Sequence, residues 1–409
     1  QLGLKKNGIT IVLLLTMAFP YATLAGKFNA NSVLLSIWPW VVFAYVKCDR
    51  KLAYSYSLML GVLATIAMLA KYYSGVLLLS IFIASIATPE SRNWYKTPHP
   101  YVAIATFALC LVPHIDWLQH HNFATLEYVS EQGSGSISWI NFVKFLLLPA
   151  FYWIIPWLVI CIVWQKKFTW KSLLKNLYVS WSWNSRHRSI SILALMPWII
   201  TLGFGLTGKI DLSVPWGIPL GYGFSLLWIV NLSQLHDIDA QKVELKVKRV
   251  FIAILLLLLC VAPLQAYKES NGARNYYLPR QEMAIELLSQ WSKKYPEKEL
   301  NWVGGQWAEN AAIAFYGDGR IRILPDLPDR FPATVMGYSE WQNKPGILFC
   351  ALGANEQSIR DGEDCIDRYQ EWVKSTGKTA DIIRFKVHRS GWRFTQKIDY
   401  EYAAIVYMP

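Results

Sequence analysis

The sequence predicts a mainly α fold, in which a polytopic bundle of transmembrane helices (residues 1–266) precedes a small α/β domain (residues 267–409). Of the 409 residues, 54% are hydrophobic and 17% are charged, whereas soluble domains average about 45–50% apolar and about 25% charged residues. The chain also contains 20 Trp and 22 Tyr, which are the residues enriched at membrane–water interfaces. This composition excludes a soluble globular enzyme and a disordered protein.

The formal net charge of +12 resides in the hydrophobic part of the chain. Residues 1–266 contain 21 Lys and Arg but nine Asp and Glu, whereas residues 267–409 contain 19 of each kind. Basic residues confined to the loops of a membrane region indicate topology, and they do not indicate a nucleic-acid surface. We therefore expect membrane lipids, and no nucleic acid, among the partners.

Apolar segments of roughly spanning length predict the transmembrane helices of the membrane part. There are nine, at residues 9–25, 32–47, 54–70, 73–88, 101–117, 140–164, 190–206, 213–231 and 250–266. The third and fourth are nearly continuous, so a re-entrant hairpin remains open for that pair.

Basic residues are divided unequally between alternate connecting segments, with seventeen in one set and four in the other. By the positive-inside rule the larger set faces the cytoplasm. Residues 1–8 are then cytoplasmic, and the tail that follows Ala266 is extracytoplasmic. The larger set is Lys5, Lys6, Lys47, Arg50, Lys51, Arg92, Lys96, Lys166, Lys167, Lys171, Lys175, Arg186, Arg188, Lys242, Lys246, Lys248 and Arg249, and the smaller is Lys27, Lys71, Lys144 and Lys209.

The tail alternates helical patterns with short apolar runs, an order typical of a small α/β domain. Helices are predicted near 281–291, 309–315 and 356–372, and strands near 301–303, 321–324, 346–352, 380–385 and 403–407. Its two cysteines are Cys350 and Cys365. Because an extracytoplasmic compartment is oxidising, we expect a structural disulfide between them, with two free thiols as the alternative.

Lys71 ends the third apolar segment, in Ala-Met-Leu-Ala-Lys-Tyr-Tyr-Ser-Gly. The predicted topology places it at the outer surface, against the positive-inside trend. A cation in that position can hold a lipid-linked phosphate as a point charge. The alternative is a lysine that merely extends its ammonium to the interface.

A second polar cluster leaves the fifth apolar segment on the predicted outer side and contains His114, Asp116, His120 and His121, with Glu127 further along. Imidazoles and carboxylates together can bind a phosphate, bind a metal or move protons. The adjacent His120 and His121 lack the i, i+4 spacing of a helical zinc pair, so we assign no metal site, while a divalent cation remains open. A solvated loop that happens to contain histidines is the alternative.

Four stretches, taken in order, resemble the membrane glycosyltransferases of family 39 type, the dolichyl-phosphate-mannose protein mannosyltransferase-like group with the GT-C fold. These stretches are Phe28-Asn29-Ala30-Asn31 with Trp38-Pro39, Leu69-Ala70-Lys71-Tyr72, Pro113-His114-x-x-Trp117 with Phe123 and Tyr128, and Trp216-Gly217-x-Pro219. The likeness covers most of residues 9–266.

The resemblance implies a bacterial inner-membrane enzyme that takes a sugar from a polyprenyl-phosphate donor and transfers it to an extracytoplasmic acceptor. Lys71 would bind the donor phosphate, and His114, Asp116, His120 and His121 would line the reaction site. In the family, an acidic residue of the first outer loop acts as the base. That loop precedes the match at 28–31, so we expect an N-terminal part to be absent from this chain and residues 1–409 alone to be inactive. Asp116 is the substitute candidate.

Two rival functions use the same membrane architecture. A polytopic transporter would place ionisable residues near the centres of spans, whereas the charged residues here cluster at span ends. A non-catalytic scaffold would use the tail to recruit a partner. A groove that opens beside Lys71 and fits a lipid phosphate would favour the enzyme.

Overall fold

A computed structural model gives the architecture of most of the chain. It describes residues 7–26, 28–121, 123, 125, 136–165, 167–184, 187–235, 238–270, 278–317, 319–325, 327–328, 341–354, 356–389 and 398–409. Several residues used in the sequence predictions lie outside these ranges, namely Lys5, Lys6, Lys27, Glu127, Tyr128, Lys166 and Arg186. Two compact units are present, residues 1–256 and residues 257–409.

The first unit is helical throughout. Its helices are α1 (Gly8–Met17), α2 (Phe19–Ala22), α3 (Ala30–Lys51), α4 (Tyr54–Ala70), α5 (Gly75–Ala87), α6 (Pro89–Arg92), α7 (His99–His120), α8 (Trp139–Leu146), α9 (Leu148–Val163), α10 (Trp170–Ser180), α11 (Arg188–Gly205), α12 (Phe224–Leu235) and the start of α13 (Ala240–Ser270). Short 3₁₀ segments lie at Leu24–Gly26, Tyr72–Ser74, Asn93–Lys96 and Val214–Gly223.

Within the described ranges, six helical stretches are long and apolar enough to cross a membrane. Two further candidates are bent pairs, Gly8–Met17 with Phe19–Gly26 at 77° and Tyr72–Ala87 with Pro89–Lys96 at 96°. The shorter apolar helix α4 has 17 residues. Together these elements coincide with the nine predicted segments, and the predicted class, a helical membrane bundle with a small α/β region, is confirmed.

The start of α3 is fixed by its own side chains. Asn29 caps the helix, because its Oδ1 accepts hydrogen bonds from the backbone N–H groups of Asn31 and Ser32. Ser32 Oγ accepts in return from the N–H of Asn29 at 3.0 Å. This reciprocal pair satisfies backbone donors that a helix leaves without partners. It also fixes the position of Asn31 in the first turn.

Buried tryptophans organise the core of the first unit. Trp38 of α3 stacks on Tyr73 at 5.8 Å between ring centroids and donates an indole hydrogen bond to Ser74 at 3.0 Å. A second cluster surrounds Trp153 of α9 and Trp228 of α12. Because an indole combines a large apolar area with a donor, Trp38 fixes α3 against the chain that follows α4.

The second unit contains the end of α13 and a five-stranded mixed sheet. The strands are β1 (Trp302–Gly305), β2 (Arg322–Pro325), β3 (Gly346–Gly353), β4 (Asp381–His388) and β5 (Asp399–Tyr407), in the order β2-β1-β3-β5-β4. β1 is parallel to β2 and β3, whereas β5 is antiparallel to β3 and β4. Helices α14 (Arg280–Lys294), α15 (Trp307–Tyr316) and α16 (Glu356–Ser375) alternate with the strands, as predicted.

The sheet of this unit is covered on both faces. The cluster that contains α14 and α15 packs on one face, through Ile347, Phe349 and Ala404. α16 packs on the other, through Leu348 and Ile405. Cys350 of β3 and Cys365 of α16 form a disulfide with a Cα–Cα distance of 6.1 Å, so it joins the sheet to that helix.

Candidate functional site

A cavity of about 760 Å³ opens in the first unit beside the end of α4. Its lining is mostly apolar and aromatic, with a few polar side chains, which is the usual character of a ligand site. The described lining residues are Leu69, Lys71, Tyr72, Tyr73, Gly75, Val76, His114, Trp117, Thr125, Thr201, Phe204, Ile210 and Trp216. The cavity therefore brings Lys71 together with His114, one residue of the second polar cluster.

Lys71 lies where the backbone leaves α4. Its N–H still bonds to the carbonyl of Ala67 at 3.1 Å, but its backbone is extended, with φ −167° and ψ 127°, and a 3₁₀ turn follows. The side chain therefore leaves the helix end, and its Nζ donates a 2.7 Å hydrogen bond to Asn31 Oδ1. The capped first turn of α3 thus positions the ammonium.

Two aromatic rings flank the Lys71 ammonium. Its Nζ lies 5.8 Å from the ring centroid of Tyr73 and 5.5 Å from that of Trp216, within range of cation–π attraction. Tyr73 is itself held by a 2.7 Å hydrogen bond between its hydroxyl and that of Thr201. Desolvation by these neighbours lowers the pKa of Lys71, which lies in the turn outside the helices, from 10.5 to about 8.

His114 of α7 enters the same cavity. Its Nε2 lies 2.5 Å from the hydroxyl of Tyr72, which is also 2.9 Å from the hydroxyl of Thr125. The imidazole stacks on Trp117 with 5.9 Å between ring centroids. A phenol paired with an imidazole nitrogen fixes the orientation of the ring, and such a pair can hold or move a proton.

Asp116 and His120 occupy a different surface of α7 from His114. Asp116 and His120 have side chains 69% and 72% exposed, with Oδ1 and Nδ1 separated by 3.6 Å. Because residues two positions apart point about 200° apart on a helix, Asp116 and His114 cannot share a face. His121 stacks on Trp117 at 4.3 Å, and its Nδ1 lies 2.7 Å from the carbonyl oxygen of that residue. Of the four candidates, His114 belongs to the described lining of the cavity.

Comparison with known proteins finds a family likeness in the N-terminal part of the chain. Residues 2–117 match the family model of dolichyl-phosphate-mannose-protein mannosyltransferases. The chain matches no curated protein and no solved structure.

The match confirms the family resemblance over residues 2–117, and this likeness suggests a membrane glycosyltransferase. The matched segment contains Asn31, Lys71, Tyr72 and His114, so one side of the cavity lies inside it. Other lining residues, among them Thr201 and Trp216, come from later in the chain. The helical spans and the family match together indicate a multi-pass membrane protein.

Three members of the site were not selected as site residues from the sequence. Tyr72 directly follows Lys71. The residues around it in the sequence do not predict its contact with His114, which is 42 residues away. Asn31 belongs to a stretch that carries the family resemblance, but its contact with Lys71, 40 residues away, was not predicted. Trp216 stood in a matching motif, but its ring was not linked to the cation. Adjacency to Lys71 was the available signal for Tyr72.

Metal-ligating side chains are dispersed over the described ranges, where no three His, Cys, Asp or Glu residues approach one another closely enough to hold an ion. His120 and His121 both direct Nδ1 at backbone carbonyl oxygens, those of Asp116 and Trp117. Participation of a divalent cation stays a prediction.

Proposed function

We propose that this protein transfers a sugar from a polyprenyl-phosphate donor to an extracytoplasmic acceptor, and that Lys71 binds the donor phosphate. The observation that carries the proposal is the half-buried Lys71 ammonium in a cavity otherwise lined mainly by apolar and aromatic side chains. A lipid-linked phosphate combines one compact anionic group with a long apolar chain. A cation set among aromatic rings is complementary to both.

The proposed reaction breaks the bond between the anomeric carbon of the sugar and an oxygen of the donor phosphate. The phosphate leaves with the electron pair while an acceptor hydroxyl forms the new bond to the same carbon. Negative charge therefore develops on the leaving phosphate, where the Lys71 ammonium stabilises it. Asn31 and the flanking rings hold the ammonium before the substrate arrives, so little reorganisation is needed.

The acceptor hydroxyl must lose a proton in this reaction. Among the described residues that line the cavity, His114 is the imidazole available to take it, oriented by the hydroxyl of Tyr72. The second candidates are Asp116, His120 and His121. They lie at the C-terminal end of α7 or directly after it, outside the described lining of the cavity.

The proposed location is the bacterial inner membrane, with the second unit on the extracytoplasmic side. The imbalance of seventeen basic residues against four supports this orientation. It also places the Lys71 end of α4 at the outer surface, where a lipid phosphate can enter laterally from the membrane.

The test measures lipid-phosphate binding without a sugar, because the sugar is unidentified. Purified protein in nanodiscs is titrated with a polyprenyl phosphate and with the corresponding polyprenol. The wild type should prefer the phosphate, and Lys71→Ala should lose that preference, whereas Lys144→Ala, which removes an exposed lysine of α8, should retain it. Equal binding of phosphate and polyprenol by the wild type would refute the proposal.

Transfer provides the second readout. In membranes that contain the protein, Lys71→Ala should express normally and transfer sugar about 10²–10³-fold more slowly, the usual cost of removing a preorganised group that stabilises developing charge. Unchanged transfer would leave Lys71 as an interfacial lysine without a catalytic role.

A further inference from the structure

Helix α15 of the second unit exposes an apolar face. Trp307 is 58% exposed and Phe315 is 80% exposed. Ala308 and Ala311 are exposed as well. Because Trp307, Ala311 and Phe315 follow one another at intervals of four residues, they form a single stripe along the helix.

The polarity of α15 departs from that expected for a helix in contact with water, although it also buries Ala312 and Ile313 in the core. Its one charged residue, Glu309, is 8% exposed, and Asn310 is fully buried. A helix that covers a sheet of a soluble domain normally buries apolar residues and exposes charged ones. In α15 the buried side includes both polar residues, and the stripe Trp307–Ala311–Phe315 carries no charge.

The neighbouring helix extends this surface. α14 packs against α15 and exposes Ile285, 54% of which is accessible. On the opposite face of the sheet, α16 has the usual polarity of a surface helix. It exposes charged side chains, those of Asp364, Asp367, Glu371 and Lys374. The stripe on α15 is therefore apolar, whereas the face formed by α16 is charged.

The chain itself indicates what covers the apolar side. α13 exposes leucines such as Leu257 and Leu264 over a stretch whose mean hydropathy is 2.5, as expected of a helix surrounded by lipid. It ends at Ser270, and α14 begins at Arg280. Ten residue steps reach roughly 35 Å when fully extended, so α14 begins within that distance of the end of α13.

We propose that the stripe Trp307–Ala311–Phe315 rests on the lipid surface next to the end of α13, so that the second unit is a membrane-docked domain. The ring of Trp307 and that of Phe315 enter the region between head groups and acyl chains, where amphipathic and aromatic side chains are favoured. A lipid surface suits this stripe because it accepts apolar side chains along the whole of a helix and needs no complementary shape. The proposal is independent of the glycosyltransferase reaction.

Site-directed spin labelling of the full chain in nanodiscs tests the proposal. Cys110 and Cys260, the exposed free cysteines of the described ranges, are replaced by serine. A nitroxide is then placed at Ala311→Cys, in the centre of the stripe, or at Lys374→Cys on the charged face as the matched control. Accessibility to oxygen, which concentrates in lipid, is compared with accessibility to a water-soluble nickel chelate.

The label at position 311 should collide with oxygen and lose collisions with the nickel chelate, whereas the label at 374 should show the reverse. Equal exposure of both labels to the chelate would overturn the proposal. Protection of position 311 from the chelate and from oxygen alike would also overturn it, since that result indicates a protein partner.

A second variant separates docking from folding. Trp307→Ser combined with Phe315→Ser should return the label at 311 to water without changing the stability of the second unit, because both replaced side chains are exposed in the fold. Continued protection of the label in this variant would show that the two rings do not dock the domain, and would contradict the proposal.

Discussion

The Nζ atom of Lys71 donates a hydrogen bond to Oδ1 of Asn31 across 40 residues of sequence, at 2.7 Å. Because this partner is a neutral amide, it orients the ammonium without neutralising its charge. The positive charge therefore remains available to an anionic ligand. Asn31 in turn owes its position to the capping box of Asn29 and Ser32, so a local feature of α3 fixes a group at the end of α4.

Binding of a polyprenyl phosphate should weaken as the pH rises through about 8. The lowered pKa of Lys71 means that its ammonium loses its proton near that pH, and a neutral amine no longer attracts the phosphate. Lys71→Arg is the control, since a guanidinium stays charged over this range. Affinity of the wild type that is constant to about pH 10, the ordinary lysine range, would contradict the assignment.

Asn31→Asp should move this alkaline loss of binding to higher pH. A carboxylate within hydrogen-bond distance favours the charged form of the lysine and raises the pKa of Lys71. It also competes with the phosphate for the cation, so affinity at neutral pH should fall. Titrations of wild type and variant with polyprenyl phosphate at a series of pH values measure both effects. An alkaline limb that does not move would show that Asn31 does not control the charge of Lys71.

His114→Asn should lower the turnover of the protein by about 10²–10⁴-fold, the range that general acid–base catalysis contributes, while polyprenyl-phosphate binding is retained. Tyr72→Phe should have a smaller effect in the same direction, because it keeps the ring and removes the hydroxyl that contacts His114 Nε2. His388→Asn, at an exposed histidine of the second unit, is the matched control.

The comparison with Asp116→Asn decides which group on α7 takes the proton. A larger loss in Asp116→Asn than in His114→Asn would transfer that role to the exposed carboxylate. If a group outside the cavity is the base, His114→Asn should change acceptor affinity and leave the turnover at saturating acceptor unchanged.

Orientation in the membrane can be checked with single cysteines on exposed positions. With Cys110 and Cys260 replaced by serine, Lys144→Cys in α8 should react with an impermeant thiol reagent applied to intact spheroplasts. Lys175→Cys in α10 should react after permeabilisation alone, because the basic residues of that loop are predicted to be cytoplasmic. Labelling of Lys175→Cys from outside would reverse the topology.

Loss of the Cys350–Cys365 disulfide should destabilise the second unit by about 3 kcal/mol, because the cross-link closes a loop with a sequence separation of 15. Replacing both cysteines by alanine and following proteolysis of the full chain across a urea series measures the effect. Cys260→Ala, at an exposed free cysteine, is the control. Two free thiols in non-reduced protein from the membrane would contradict the prediction.

The elements could be predicted from the sequence because each depends on a local pattern. Apolar length located the spans, and alternating short patterns located α14, α15, α16 and all five strands of the described tail. The position of Lys71 at a span end was equally local. The prediction that it lies at the outer surface remains open to the labelling experiment.

The assembly of the site could not be predicted, because its contacts join residues far apart in sequence. Tyr72 and His114 are 42 residues apart, and Tyr73 and Thr201 are 128 apart. The separation of His114 from Asp116 is different, since helical geometry alone places them on different faces once α7 is known to continue to His120. In a loop, His114 and Asp116 could share a face, so both were equal candidates from the sequence.

Three consecutive residues after α4 each bond to a different helix: Lys71 to Asn31 of α3, Tyr72 to His114 of α7, and Tyr73 to Thr201 of α11. The spacing along this segment is therefore as important as the identity of its side chains. Insertion or deletion of one residue between Ala70 and Gly75 would shift these three side chains, so that α3, α7 and α11 would no longer meet their present hydrogen-bond partners. The segment should tolerate substitutions that keep a hydrogen bond far better than any change in its length.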